Sequence, residues 1–173
     1  MGALLATLAA GCGSDEPHTA PLRPPGDSAE QCAPASDSRL VTFGVDVASN
    51  GSSRRLTVDR VTFKTSHGMT LVKPLVATVP SRGAGTLVGT WDGYPPDFSG
   101  SDDAVRKVFD GAQKVPGAVI PAGRSHLANF VFGVRAARGA SAGPLMVDYH
   151  DNKGTKFRWT GNITYRIATG ASC

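Results

Sequence analysis

From Arg39 onward, apolar and polar residues alternate with the period of a β-strand. Val41, Phe43, Val45 and Val47 share one parity, and Asn50-Gly51 then supplies a turn. Leu56 and Val58 continue on one parity and Val61 and Phe63 on the other, so the slip at Asp59-Arg60 predicts a β-bulge. His67-Gly68 reads as a turn. Residues 69–79 read as a third strand region, which Pro74 breaks or confines to an edge. Residues 86–91 form a fourth. A short helix follows: Ser101 caps it, Asp102 and Asp103 suit its first turn, Val105, Val108 and Phe109 form an apolar stripe, and Gly111 ends it. Residues 118–120 make a short strand, and Pro121-Ala122-Gly123 turns the chain. Ala128, Phe130, Phe132 and Val134 then point one way. After a Gly-rich loop come Leu145, Val147 and Tyr149, a hairpin turn at Asp151-Asn152-Lys153-Gly154, and a last strand in which Phe157, Trp159, Gly161, Ile163, Tyr165 and Ile167 share a parity. Seven to eight short strands with one apolar face each predict an all-β fold, an antiparallel β-sandwich with one short helix, over residues 38–173.

Composition agrees with that pattern. With 40% hydrophobic and 18% charged residues, most of the chain can bury a core, and 21 Gly with 12 Pro favour turns over long helices. The net charge of +4 is spread out. The densest groups are Arg54-Arg55, Arg106-Lys107 and the alternating Lys156 and Arg158, without the concentrated stripe of a nucleic-acid binder. Nucleic acid is therefore not an expected partner.

The first residues read differently. Gly2 to Ala10 is an uncharged run, as long as a signal-peptide core and too short to span a bilayer. The run ends in Leu8-Ala9-Ala10-Gly11-Cys12, then Gly13-Ser14. This stretch resembles the bacterial lipobox. The resemblance implies a signal peptide over residues 1–11, a diacylglyceryl group on the Cys12 thiol, and an extracytoplasmic protein held to the cell membrane. Signal peptides open with Lys or Arg, whereas here only the α-amino group is positive, so the expected start lies upstream of Met1. Residues 12–37, with Pro17, Pro21, Pro24, Pro25 and Pro34 among polar residues, read as an extended, lipid-anchored Pro-rich linker. Once Cys12 carries lipid, Cys32 and Cys173 remain as an even pair in an oxidising compartment, expected to form a disulfide rather than two free thiols. Residues 39–168 also resemble the immunoglobulin-like domains of secreted actinobacterial lipoproteins. The resemblance rests on the Pro-Ala-Gly turn before a long apolar strand and on the paired terminal hairpin; the Cys–Trp–Cys pattern of true immunoglobulin domains is missing.

Two constellations carry candidate chemistry. His67, Met69, Met146 and His150, with His126 nearby in type, are imidazole and thioether ligands that suit copper. Against them stands the reading of a turn histidine and gap-filling methionines. Trp91, Asp92, Tyr94 and Phe98 put aromatics beside carboxylates in a Gly/Pro-rich loop, a candidate ligand-binding surface. Against it stands a role in closing the end of the sandwich. There is no G-x-S-x-G elbow, no H-E-x-x-H, no C-x-x-C and no phosphate loop, so no catalytic residues are expected. The expectation is a non-enzymatic envelope lipoprotein without cofactor, serving as a binding or structural module for an envelope protein, a cell-wall polymer or a small ligand. The alternative is an envelope copper-handling protein.

Overall fold

Strict alternation has its plainest outcome in residues 145–151, where Leu145, Val147, Tyr149 and Asp151 are buried and Met146, Asp148 and His150 are not. The computed structural model describes residues 20–24, 26–35, 39–81, 88–98, 103–170 and 172–173. Cys12, Ser101 and Asp102 lie outside the described residues. In chain order the elements are β1 (Leu22–Arg23), β2 (Ala29–Ala33), β3 (Leu40–Asn50), β4 (Leu56–Phe63), β5 (Ser66–Pro80), β6 (Thr90–Asp92), α1 (Asp103–Asp110), β7 (Gln113–Lys114), β8 (Val119–Ile120), β9 (His126–Ala142), β10 (Leu145–Asp151), β11 (Lys156–Thr160) and β12 (Ile163–Ile167). No helix among the described residues is long and apolar enough to cross a membrane.

The strands form two sheets, as an all-β sandwich requires. In the eight-stranded sheet the long β9 lies between β5 on one side and β3 on the other, and beyond β3 its last residues pair with β12. The other sheet has the order β11-β10-β4-β8. Phe43, Phe130, Phe132 and Val134 of the larger sheet meet Leu56, Val58, Val61, Leu145, Val147, Tyr149 and Trp159 of the smaller one, all in one buried cluster. Rings lock the layers together: Phe130 stacks on Trp159 at 5.7 Å, and Phe63 meets Phe132 edge-on at 5.8 Å. The predicted bulge in β4 is present, since Asp148 faces Arg60 while Tyr149 faces Val58, leaving Asp59 as the extra residue.

Several expectations need correction. The Pro-rich linker does not extend to residue 37, because residues 22–23 and 29–33 are strands of the larger sheet. β1 pairs with Ser49 and Asn50, and β2 runs parallel to β12. Leu22 and Ala33 are buried, the Leu22 N–H donates to the Tyr149 hydroxyl at 3.3 Å, and Cys32 is bonded to Cys173 with Cα atoms 6.0 Å apart. The single last strand is in fact two. The chain breaks at Gly161-Asn162 and changes sheet, β11 belonging to the smaller and β12 to the larger. β9 runs on through the segment read as a Gly-rich loop, because β5 pairs with it as far as Ala142. His67-Gly68 is not a turn; Gly68, at φ +77°, sits in an irregularity of the β5–β9 pairing. Pro74 also falls in such an irregularity, between Val72 and Leu75. The break at Gly161, with β2 and the two- and three-residue strands, brings the total among the described residues to twelve.

β3 also bulges: Phe43 faces Phe132, but Asp46 and not Val45 faces Phe130. Paired residues share a sheet face, so Asp46 turns into the sandwich interior. It is 1% exposed, and neither carboxyl oxygen has a hydrogen-bond partner; Trp159 Nε1 and Tyr165 OH are likewise buried without one. The Asp46 carboxyl lies so close to the backbone of Gly161 that a Cβ there would stand 2.7 Å from Oδ1. Burial pushes Asp46 up to about 7.

Two predictions follow from these features. Reduction, or Cys32→Ser, should lower stability by about 3–5 kcal/mol, because the bridge closes most of the chain into one loop and removes entropy from the unfolded state. Urea unfolding with and without reductant reads this, and coincident curves would contradict it. For Asp46, the folded protein keeps a proton that the unfolded chain has already released. Its contribution is therefore greatest below about pH 4 and declines as pH rises through about 7, by about 4 kcal/mol in all. Asp46→Asn should flatten the urea-midpoint profile between those limits; an unchanged slope would refute the assignment.

Candidate functional site

The aromatic loop is built from the larger sheet outward. β6 pairs with β3, Trp91 opposite Thr42. Gly93, at φ +75°, then bends the chain; its N–H donates to the Leu40 carbonyl and its own carbonyl accepts from Thr42 Oγ1 at 2.6 Å. Tyr94 packs against Gly133, where a Cβ would stand 2.7 Å from ring atom Cγ, and its hydroxyl donates to the Lys73 carbonyl. Burial pushes Tyr94 up to about 12. Phe98 is 7% exposed and meets Trp91 at 5.7 Å and Phe109 at 5.2 Å, both edge-on. These rings join Val105 and Val108 of α1 over Ala77 and Val131, in a cluster separate from the main core. The loop and helix thus form a third layer on the outer face of the larger sheet. They do not close the end of the sandwich, and of the four proposed ligand contacts Trp91, Tyr94 and Phe98 are engaged in packing. Asp92 is exposed at the end of β6.

The four proposed metal ligands are divided between the sheets. His67 and Met69 are in β5; His67 is exposed, whereas Met69 is 6% exposed and packs in the main core. Met146 and His150 stand on the outer face of β10 with Asp148 between them. The thioether of Met69 therefore faces apolar neighbours, and the structure does not gather the set around one point. No group of three or more His, Cys, Asp or Glu side chains able to hold a metal occurs among the described residues.

What the structure does assemble on that outer face is a row of charges. Asp148 faces Arg60 of β4 on one side and Arg158 of β11 on the other. Arg60 donates to Asp148 Oδ2 through Nη2 at 2.8 Å and Nε at 3.0 Å, and Arg158 Nε donates to Oδ1 at 2.6 Å. The Arg158 bond, helped by the Arg60 bond and the charge of both guanidinium groups, holds the Asp148 carboxyl below its ordinary range against the opposing effect of burial. One strand position further, His150 Nδ1 lies 2.9 Å from Asp59 Oδ1. The β4 bulge makes this contact by inserting Asp59 into the ladder. With Lys156 these side chains line an open groove of about 810 Å³. The guanidinium of Arg158 keeps both Nη groups free of the Asp148 contact, so the groove offers planar donors toward solvent, suited to carboxylate, phosphate or hydroxyl groups. Sequence reasoning named His150 and Met146 as ligands but assigned no site role to Asp59, Arg60 and Asp148, which share this face. The signal was present as opposite charges on either side of a bulge, yet it becomes legible only with the strand register.

Phe98→Ala should destabilise the protein by about 3–5 kcal/mol, the usual cost of emptying a buried aromatic site. Urea unfolding checks this; a loss within about 0.5 kcal/mol, as expected of a surface residue, would show the ring free for a ligand. No protein-family model matches the chain, and no curated protein matches it.

Proposed function

We propose that this chain is a lipid-anchored protein of the bacterial cell envelope. Its sandwich is a binding or structural module and not a catalyst. The observation that carries the reading is the disposition of the cysteines. Cys32 and Cys173 are bonded to each other, which suits an oxidising compartment. That leaves Cys12, of the three cysteines, inside a Leu-Ala-Ala-Gly-Cys segment directly after an apolar run. Within this reading the β4–β10–β11 groove is the surface presented to a polar partner, whether an envelope protein, a cell-wall polymer or a small ligand. Its charge-paired rim supplies directional hydrogen bonds, and the disulfide-closed sandwich holds them in place.

Intact mass spectrometry of the protein from a bacterial membrane fraction tests the anchor. The expected species begins at Cys12, carries a diacylglyceryl group there, and lacks two further hydrogens for the Cys32–Cys173 bond. Cys12→Ala should appear without lipid and with the leader retained. A wild-type chain with residues 1–11 attached and no lipid on Cys12 would overturn the reading.

A further inference from the structure

One end of the sandwich collects cations around the point where the N-terminal segment enters. Gly51 N–H donates to the Pro21 carbonyl at 2.8 Å, which ties the entering chain to the β3–β4 turn. Two guanidinium groups converge on that turn: Arg23 Nε and Arg124 Nη2 lie 3.7 and 4.0 Å from where a Cβ of residue 51 would stand. Neither arginine forms an ion pair among the described residues. Arg55, in the same turn, and Lys153, at the tip of the β10–β11 hairpin, are exposed and likewise unpaired among the described residues. Asp151 provides a carboxylate here, but it is buried and bonded to Arg54 at 2.6 Å. That contact, with the backbone N–H groups of Thr155 and Lys153, holds it down at about 2.

The platform under these charges is well tied. Asn50 Nδ2 donates to the carbonyls of Arg54 and Pro121 at 2.7 and 2.8 Å, and Gly123 N–H donates to the Ser52 carbonyl at 2.8 Å. Three loops and the entering strand are thus one unit. Like charges gathered on a fixed surface repel one another, and an external anionic surface relieves that repulsion.

Chain length names the surface. Ala20, the first described residue, is eight residues past Cys12, a reach of at most about 29 Å even at full extension. A lipid on Cys12 therefore keeps this end, of the two ends of β3, close to the bilayer. We propose that the face formed by Arg23, Arg55, Arg124 and Lys153 seats the domain on the anionic headgroups of the membrane that holds its anchor. This rests on the lipid-anchor reading above. Arginine donates to headgroup phosphate in the geometry it favours, and a basic patch beside an acyl anchor supplies the second signal that stable membrane attachment needs. Seated in this way, the domain directs the opposite end of β3, with Arg39 and Arg138, away from the bilayer.

Vesicle sedimentation of the full chain carrying Cys12→Ala, which cannot take lipid, tests the face directly. The protein should sediment with phosphatidylcholine vesicles containing about one-third phosphatidylglycerol and not with pure phosphatidylcholine, and binding should fade as salt is raised. Arg23→Glu with Arg124→Glu should weaken that binding at least about tenfold. Arg55→Glu with Lys153→Glu, both in exposed turns, should do the same if the first pair unfolds the domain. Arg39→Glu with Arg138→Glu should change it less than about twofold. Equal sedimentation with both vesicle types, or equal loss from reversals at either end, would overturn the proposal. Anionic-vesicle binding by a protein whose native Cys12 proves unlipidated would remove the anchor and leave this face standing. Lipid on Cys12 without any preference for anionic vesicles would remove this face alone.

Discussion

The clasp between the two ends of the described chain is the constraint on which the rest of the structure depends. β2 has only five residues, of which only Ala33 is fully buried. Among the described residues its strand partner is β12, which in turn pairs with β9 at Tyr165 and Arg166. Hydrogen bonds at such an edge contribute little net stability by themselves. What holds the pair is the burial of Ala33, Tyr165 and Ile167 together with the Cys32–Cys173 bond. Tyr165 packs against Phe43, Phe63 and Phe132 at once, so the clasp transmits to the centre of the core. It also sets the path of residues 22–33 across the larger sheet, from the Asn50 end, where β1 pairs, to β12.

The interior accepts a buried carboxyl without a hydrogen-bond partner, and its chemistry is opposite to that of the arginine-paired carboxylates. Asp46 turns inward at a bulge and stands beside Gly161, the residue at which the chain changes sheet. The site favours the neutral carboxyl. Asp148 and Asp151 are held by arginines and favour the ionised form. Acid therefore relieves the interior as it weakens the surface lattice, and the two effects occupy different pH ranges. A local rule broken in the core, with glycine as the side chain tolerated next to it, marks a position where the fold accepts a cost for its shape.

Sequence pattern exposed the elements whose burial is decided locally. The alternation of β10, the slip at Asp59, the stripe of Val105, Val108 and Phe109, and the hairpin at residues 151–154 all have the predicted form. Elements decided by distant partners were not legible. β2 carries the composition of a tether, and only β12 and Cys173 make it a strand. The parity of residues 157–167 continues unbroken through Gly161, so nothing local announces the change of sheet. Asp46 is buried along with Val45 because Gly44-Val45 bulges against β9. The His/Met set and the aromatic loop differ from their expected arrangement for a related reason. His67, Met69, Met146 and His150 were grouped by donor type, whereas register separates them, and the aromatic loop was read as open although α1 and Gly133 give its rings apolar surface to cover. The row through Arg60, Asp148 and Arg158 exists only once three strands are aligned.

Hydrogen exchange on the oxidised native protein tests the clasp most directly. If β2 is part of the sheet, the amides of residues 29–33 that bond to β12 should be protected and should exchange in step with residues 163–167. Both sets should lose protection together on reduction, while β10 keeps its own. Free-chain exchange rates across residues 29–33 with the disulfide intact would contradict the account, because the segment would then be the linker its composition suggests.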